Sequence, residues 1–360
     1  MSPTRRAIPA PSSGRRITWM DTLRGIAIGL VILDHTGDLV QTNIGGLPAW
    51  IDAVDDAVAP FRMATLVFLS GMLLPASLKK RGWAYLGGKL RRIGWPYLAW
   101  SLIVITLLTA TTTITGRPVD LMLYARTFNP FAPPTYLWYL YYLLVFYVLA
   151  LVLRRVPWLV LSAGGFVVAA LITAPFPTVG RMFYLMTLFF LGATAQEHLP
   201  RWEALLRNRV FRGVVIVIAA VTLTLAGSGV AVRYMPAYSW GAFAGLCVLM
   251  LISQAVAHTR PGRVLAENGQ RSIVYYCTHW SAILIAYHIL VKLGVGSPVL
   301  LFVATLVAGV GSGWLMLKIV ARWRWVDWLY EWNPTGAKRA AGLPAAVPAA
   351  PPRGMRTQES

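Results

Sequence analysis

Apolar stretches of about 20 residues, separated by shorter polar segments, recur along most of this chain. A helix of about 20 apolar residues is long enough to cross the roughly 30 Å hydrocarbon core of a bilayer. The pattern therefore predicts an all-α, polytopic integral membrane protein with about ten transmembrane helices. The predicted spans are residues 17–37, 57–78, 93–115, 134–153, 157–174, 180–199, 211–229, 238–257, 272–292 and 298–320.

The two ends of the chain depart from this pattern. Residues 1–16 are polar and basic, which predicts a disordered N-terminal tail. Residues 333–360 are rich in Pro and Ala with scattered charges, which predicts a disordered C-terminal tail. Residues 17–332 between them are predicted to form a single transmembrane domain. Within that domain, residues 38–56 are predicted to be an acidic extracytoplasmic loop.

Composition agrees with a membrane protein, since 57% of the residues are hydrophobic and 13% are charged. The net charge of +20 would also fit a nucleic-acid-binding protein, but the positions of the charges exclude that explanation. Alternate segments between the predicted spans hold 25 Lys and Arg in one set and five in the other. By the positive-inside rule, both termini are predicted to be cytoplasmic, and no nucleic-acid partner is predicted. The five are Arg117, Arg126, Arg181, Arg233 and Lys292.

The first predicted span contains ionisable residues at both of its ends. Placing a charged group in hydrocarbon costs at least ~2.5 kcal/mol, so such residues are candidates for a functional site. Arg24 and His35 are eleven residues apart. This spacing puts them on one helix face, about 16 Å from each other along the axis. Asp21 is either an ordinary partner of Arg24, three residues away, or part of the same site.

His35 is the main candidate for chemistry in this span. Asp34 is beside it and Asp38 follows one turn later, so that Asp38 is predicted to orient the imidazole as a general base. His279 lies near the middle of the ninth predicted span, where a structural and a catalytic histidine are equally compatible with the sequence. Arg91 and Arg92 are explained either by topology or by a cradle for a phosphate-bearing donor such as coenzyme A.

Several other classes of site lack support in the sequence. It contains no phosphate-binding glycine loop, no nucleophile elbow and no zinc-protease motif. Its two cysteines, Cys247 and Cys277, lie in apolar runs and are predicted to be buried thiols. No metal site is predicted, because no cluster of Cys and His has ligand spacing.

Five motifs, in this order, resemble the membrane-bound acyltransferase 3 family, whose members are bacterial multi-helix enzymes that modify sugars and glycans. The first is the most specific, because it combines an acidic residue, an arginine and a histidine eleven residues later. A sugar O-acetylase-like branch of the family often has His where Arg62 stands. The motifs are Met20-Asp21-Thr22-Leu23-Arg24-Gly25-Ile26-Ala27 followed by His35, Phe61-Arg62-Met63-Ala64-Thr65-Leu66-Val67-Phe68-Leu69-Ser70-Gly71-Met72, Arg91-Arg92 leading into Trp95-Pro96-Tyr97, Leu137-Trp138-Tyr139-Leu140, and Ser272-Ile273-Val274-Tyr275-Tyr276-Cys277-Thr278-His279.

The resemblance implies a membrane O-acyltransferase of the bacterial cytoplasmic (inner) membrane. Its reaction would move a short acyl group, such as acetyl, from acyl-CoA to a hydroxyl of a cell-envelope sugar, glycan or glycolipid, with acyl-CoA as co-substrate and no other cofactor. The chain lacks the hydrolase-like extracytoplasmic domain of some members, so an extracytoplasmic partner protein is a further expectation. The expected catalytic residues are His35, Arg24 and Asp38, with His35 as general base or transient acyl carrier. The expected substrate-binding residues are Asp21, Asp34, Arg62, Ser70, Arg91, Arg92, Trp138, Tyr276 and His279.

Two other classes stay open at this point. Ionisable residues within the membrane also suit a secondary transporter, for example one that flips a sugar-linked lipid. A binding scaffold for a cell-envelope assembly would need no reactive histidine. Acyl transfer from labelled acyl-CoA would distinguish the enzyme from both.

Overall fold

The computed structural model describes residues 18–80, 82–114 and 136–332, and these residues form a bundle of helices. The predicted tails 1–16 and 333–360, and the loop that contains Arg117 and Arg126, lie outside the described residues. The helices are α1 (Thr18–Asn43), α2 (Ala49–Met72), α3 (Leu74–Leu78), α4 (Gly82–Lys89), α5 (Trp95–Ile114), α6 (Trp138–Val152), α7 (Trp158–Ile172), α8 (Pro177–Glu197), α9 (Leu199–Arg207), α10 (Arg209–Gly227), α11 (Ser239–Val256), α12 (Arg260–Gln270), α13 (Ser272–Lys292) and α14 (Pro298–Arg322).

Each predicted span coincides with a helix of this bundle. Among the described residues, seven helical segments are long and apolar enough to cross a membrane by length and composition. The helices α6 and α7 are apolar but shorter, and α1 carries the ionisable residues noted above. The prediction of an all-α, multi-pass protein is therefore confirmed, whereas the number ten and the side of the termini stay predictions. The seven segments are Ala49–Leu78, Gly82–Ala110, Pro177–Glu197, Arg209–Gly227, Pro236–Val256, Ser272–Lys292 and Pro298–Arg322.

The acidic loop predicted over residues 38–56 is wrong in extent. The helix α1 continues to Asn43 and α2 already begins at Ala49, which leaves a connection of residues 44–48. Buried apolar residues, Val40 and Ile51 among them, alternate here with exposed polar ones. Both helices therefore keep one packed face, although the stretch as a whole is too polar to resemble a span.

The helix α2 lies at the centre of the bundle, where every residue from Ala59 to Met72 is buried. Its close neighbour is α8, and the two backbones approach through glycines from both sides. A Cβ at Gly71 would overlap the carbonyl oxygen of Phe189, and one at Gly192 would overlap that of Phe68. Small residues permit this approach, which membrane helices use because packing replaces the hydrophobic driving force. The second half of α2 is thereby fixed in depth.

The helix α1 packs against α2, α11, α12, α13 and α14 and so is enclosed by the bundle. The short helix α12 covers its first turns, where the Thr22 hydroxyl donates to the carbonyl of Gly262 over 3.2 Å. Toward its other end, α1 meets α2 and α13. The ionisable side chains of α1, which would be unfavourable in lipid, are therefore enclosed by protein.

A turn of π-helix, Leu90–Gly94, joins α4 to α5 and carries the basic residues of the third motif. The segment after α14 docks onto it. The indole of Trp95 donates to the carbonyl of Trp328 over 2.6 Å, and the backbone N–H of Trp332 donates to the carbonyl of Arg91 over 3.2 Å. The segment after α14 thus holds the start of α5 in place.

Candidate active site

The Asp34 carboxylate joins α1 to α2 through a buried ion pair with Arg62. The Arg62 side chain has no exposed surface and also donates to Asp55 over 2.7 Å. From the connection between α10 and α11, the Arg233 guanidinium comes within 3.8 Å of the same Asp34 oxygen. Two carboxylates and two guanidinium groups therefore balance each other, as buried charges must. This network holds the end of α1 that carries His35.

His35 lies at the centre of a group of aromatic rings. Its ring stacks on that of His279, with centroids 5.3 Å apart and planes 22° apart. The Trp280 ring meets it edge-on at 5.3 Å and the Tyr136 ring at 6.0 Å. On the other side, His35 Nδ1 is 3.9 Å from Asp34 Oδ2. The imidazole thus has a carboxylate at one nitrogen and apolar ring surface around it.

The second histidine of this pair is wholly buried and has one nitrogen without a partner. His279 Nδ1 is 2.9 Å from the carbonyl oxygen of Tyr275. Since a carbonyl only accepts, this contact places the proton on Nδ1 and leaves the Nε2 lone pair free. Among the residues that the structure describes, nothing donates to Nε2. An unsatisfied buried acceptor next to His35 marks a place where a substrate or water would bind.

Arg24 lies near the other end of α1, 3.7 Å from Asp21, so the pairing expected from their spacing is present. On α2, Ser70 contacts two buried tyrosines. The Ser70 hydroxyl lies 3.0 Å from the Tyr139 hydroxyl, and Tyr147 donates to the Ser70 carbonyl over 2.9 Å. Ser70 and Tyr139, which belong to separate motifs, are thus brought together in one polar region.

Tyrosine rings connect this polar region to the histidine pair. The Tyr139 ring meets the Tyr276 ring at 5.3 Å, and the Tyr276 ring lies 5.9 Å from that of His279. Tyr276 also donates to the carbonyl of Tyr136, and Tyr136 donates to that of Cys277. These interlocked bonds fix the turn before α6 against α13. We call the three rings of Tyr136, Tyr139 and Tyr276 the tyrosine wall.

The remaining predicted residues do not contact the histidine pair in the part of the chain that the structure describes. Asp38 is exposed, and across the described ranges no hydrogen bond or ion pair joins it to His35; Asp34 is the carboxylate beside the imidazole. Arg91 and Arg92 are exposed, and Arg92 pairs with Glu331 over 3.0 Å. Trp138 stacks under the guanidinium of Arg181 and meets the Tyr139 ring of the wall at 6.5 Å.

Several members of the site did not stand out in the sequence. Tyr136 and Trp280 adjoin motif residues, but aromatic residues are common in apolar helices. Asp55 was assigned to a loop. Arg233 and Arg181 did carry a signal, because they are two of only five basic residues on the side predicted to be extracytoplasmic. Such rare charges are candidates for function when topology does not explain them.

Comparison with known families identifies the family of this chain. A family model described as an acyltransferase domain matches residues 17–318, which include nearly all the described bundle. The chain belongs to the acyltransferase 3 family. Comparison with curated proteins gives no match, and neither does comparison with solved structures. This acyltransferase 3 domain is therefore a multi-pass membrane acyltransferase.

The described part of this acyltransferase 3 domain offers no group of three or more His, Cys, Asp or Glu placed to hold a metal ion. Cys247 and Cys277 are buried and free. The chemistry that the site can perform with its own side chains is proton transfer and nucleophilic attack by imidazole, flanked by guanidinium groups that bind anions.

Proposed function

We propose that this acyltransferase moves a short acyl group, such as acetyl, from acyl-CoA to a hydroxyl of a cell-envelope sugar, glycan or glycolipid in the bacterial cytoplasmic membrane. The single observation that carries the proposal is the stacked pair of His35 and His279, enclosed by aromatic rings and next to a fixed carboxylate. An imidazole held in this way suits the deprotonation of a hydroxyl.

In the general-base route, His35 takes the proton of the acceptor hydroxyl while the hydroxyl oxygen bonds to the thioester carbonyl carbon. The carbon–sulfur bond then breaks, and the coenzyme A thiolate leaves and accepts that proton. In the carrier route, an imidazole nitrogen of His35 bonds to the thioester carbonyl carbon, the carbon–sulfur bond breaks, and the thiolate leaves with the ring proton, so that an acyl-imidazole forms. The acceptor hydroxyl then attacks the acyl carbon, the carbon–nitrogen bond breaks, and the hydroxyl proton returns to His35, for which the Nε2 lone pair of His279 is available as a carrier.

The donor would approach from the Arg24 end of α1, which the charge pattern predicts to face the cytoplasm. Arg24 suits a phosphate of coenzyme A because a guanidinium offers forked N–H donors that match phosphate oxygens. Arg91 and Arg92 are exposed and suit the outer part of the donor. The tyrosine wall would then line the path from the donor end to His35, together with Ser70 and His279.

The experiment is mass spectrometry of envelope glycans and lipids from a strain that lacks this protein. We expect an acyl mass to be missing, to return with the wild-type chain, and not to return with His35→Ala. Full restoration by a folded His35→Ala protein would contradict the proposal. The matched control is His288→Ala, because His288 lies on the same helix as His279 and also contacts the carbonyl four residues before it.

The alternative of a transporter for a sugar-linked lipid predicts a different result. A strain without a transporter would lose the whole glycan or accumulate its lipid-linked form, whereas a strain without the acyltransferase keeps the glycan and loses only the acyl mass. The same spectra therefore separate the two functions.

A further inference from the structure

Arg181 is the one basic residue of this region whose charge the described chain does not neutralise. It lies in the first turns of α8, with its guanidinium carbon 4.3 Å from the centre of the Trp138 ring. Its Nη2 donates to the Tyr142 hydroxyl over 3.4 Å. Its Nε is buried and has no hydrogen-bond partner, and no carboxylate lies within ion-pair distance of it in the described ranges.

This arrangement differs from that of the other arginines near the site. Arg62 has two carboxylates and Arg233 has one, whereas Arg181 has only aromatic neighbours. Stacking on an indole uses the flat face of the guanidinium and leaves its edge available. That edge carries N–H donors in the fork geometry that matches a phosphate or carboxylate. A partly buried cation with a free edge is therefore built for an anion from outside the chain.

The position of Arg181 connects it to the acyltransferase centre rather than to the lipid-facing perimeter. Its guanidinium lies 5.9 Å from the Tyr234 ring, and that of Arg233 lies 5.0 Å from the same ring. Arg233 in turn reaches Asp34, the carboxylate beside His35. Below the guanidinium, Trp138 meets the Tyr139 ring of the tyrosine wall at 6.5 Å.

Tyr234 has a backbone conformation that few residues with side chains adopt, with φ at 61°. Its ring contacts the guanidinium groups of both Arg181 and Arg233, and Trp138 lies edge-on to it at 6.5 Å. The Arg233 side chain is 39% exposed, so part of its donor edge is open as well.

We propose that Arg181, assisted by Arg233 and Tyr234, binds a phosphate or carboxylate group of the acceptor, so that the acceptor is an anionic rather than a neutral sugar. This inference rests on the proposed function, since it names the class of acceptor for that same centre. It adds Arg181 as a specificity-determining residue that none of the sequence motifs includes.

The test is calorimetric titration of the purified full-length protein with two probes, glucose 1-phosphate and methyl glucoside, in the absence of acyl-CoA. Wild-type protein is expected to bind glucose 1-phosphate about tenfold more tightly than methyl glucoside, because two charge-assisted hydrogen bonds are gained. In Arg181→Gln the difference should disappear while binding of methyl glucoside is retained. Arg181→Lys keeps the charge but lacks the forked N–H donors of a guanidinium, so it should restore part of the difference in affinity between the two probes. The control Arg260→Gln changes an exposed arginine of α12 and should leave both affinities unchanged.

A preference for glucose 1-phosphate that Arg181→Gln does not reduce would overturn the inference, as would equal affinity of the wild-type protein for the two probes. A lipid headgroup is the other source of a phosphate, so the titration is repeated in nanodiscs with and without phosphatidylglycerol. Loss of glucose 1-phosphate binding only when phosphatidylglycerol is present would identify a lipid site and also overturn the inference. Because acyl-CoA is absent from the titration, a failure of acyl transfer would leave this binding result readable.

Discussion

At both ends of α1 a carboxylate lies close to basic side chains, but the two ends hold these charges differently. At the His35 end, Asp34 is fixed from α2 by Arg62 and approached by Arg233 from the α10–α11 connection. At the other end, Arg24 and Asp21 pair along one helix at 3.7 Å, with 18% and 9% of their side chains exposed. At the His35 end, ion pairs from other segments fix the carboxylate beside the imidazole. At the Arg24 end, the charge is held by a neighbour on the same helix.

The largest effect is expected when the ion pairs of Arg62 at the His35 end of α1 are removed. Arg62→Met removes the buried cation that contacts both Asp34 and Asp55 and leaves only Arg233 near Asp34, which costs about 3–5 kcal/mol. We expect thermal unfolding in detergent at a clearly lower temperature, together with loss of acyl transfer. A variant as stable as the wild type would show that Asp34 is not held by Arg62.

The matched control for this variant is Arg207→Met. Arg207 pairs with Glu203 at 3.9 Å on the surface, and 67% of its side chain is exposed. Exposed pairs contribute ~0–1 kcal/mol, so its unfolding temperature should stay close to that of the wild type.

A smaller effect is expected from His279→Gln, which keeps an amide near the stacked ring but removes the basic Nε2. If His279 takes part in proton transfer, kcat should fall about 100-fold with little change in stability. His288→Gln should leave kcat unchanged, because His288 has the same backbone contact, at 2.8 Å, but lies about two turns further along α13. Equal kcat values for the two variants would remove His279 from the reaction.

The smallest effect is expected at the Arg24 end of α1. If Arg24 binds a phosphate of the donor as proposed, Arg24→Gln removes one charge-assisted contact, so the KM for acyl-CoA should rise about tenfold while kcat stays near its original value. Arg91→Gln should change the KM less, because Arg91 is exposed. A drop in kcat with unchanged KM would mean that Arg24 acts on the transition state instead.

Much of the fold was readable from the sequence because its signals are local. Span length and the alternation of Lys and Arg predicted helices where the structure has them, and the eleven-residue spacing put Arg24 and His35 on α1. The loop of residues 38–56 was mispredicted because a mean over a window hides a helix with one packed face. Val40 and Ile51 supply that face.

The arrangement of the site was harder to predict because it depends on contacts between distant helices. The histidine motif predicted His35, but the choice between Asp34 and Asp38 depended on which carboxylate meets Arg62 from α2. The stacking of His279 on His35 joins residues 244 positions apart in the chain. Arg181 was counted as a topological charge, since no sequence signal tells which charges find a carboxylate.

The most direct test of this account is single-turnover acyl transfer by the purified protein, with labelled acetyl-CoA and a glycan pool from its own envelope. The account predicts that wild-type protein transfers label to glycan and that a folded His35→Ala protein does so about 10²–10⁴ times more slowly. The thermal unfolding of the variant should match that of the wild type. Transfer at the wild-type rate by His35→Ala would contradict the account.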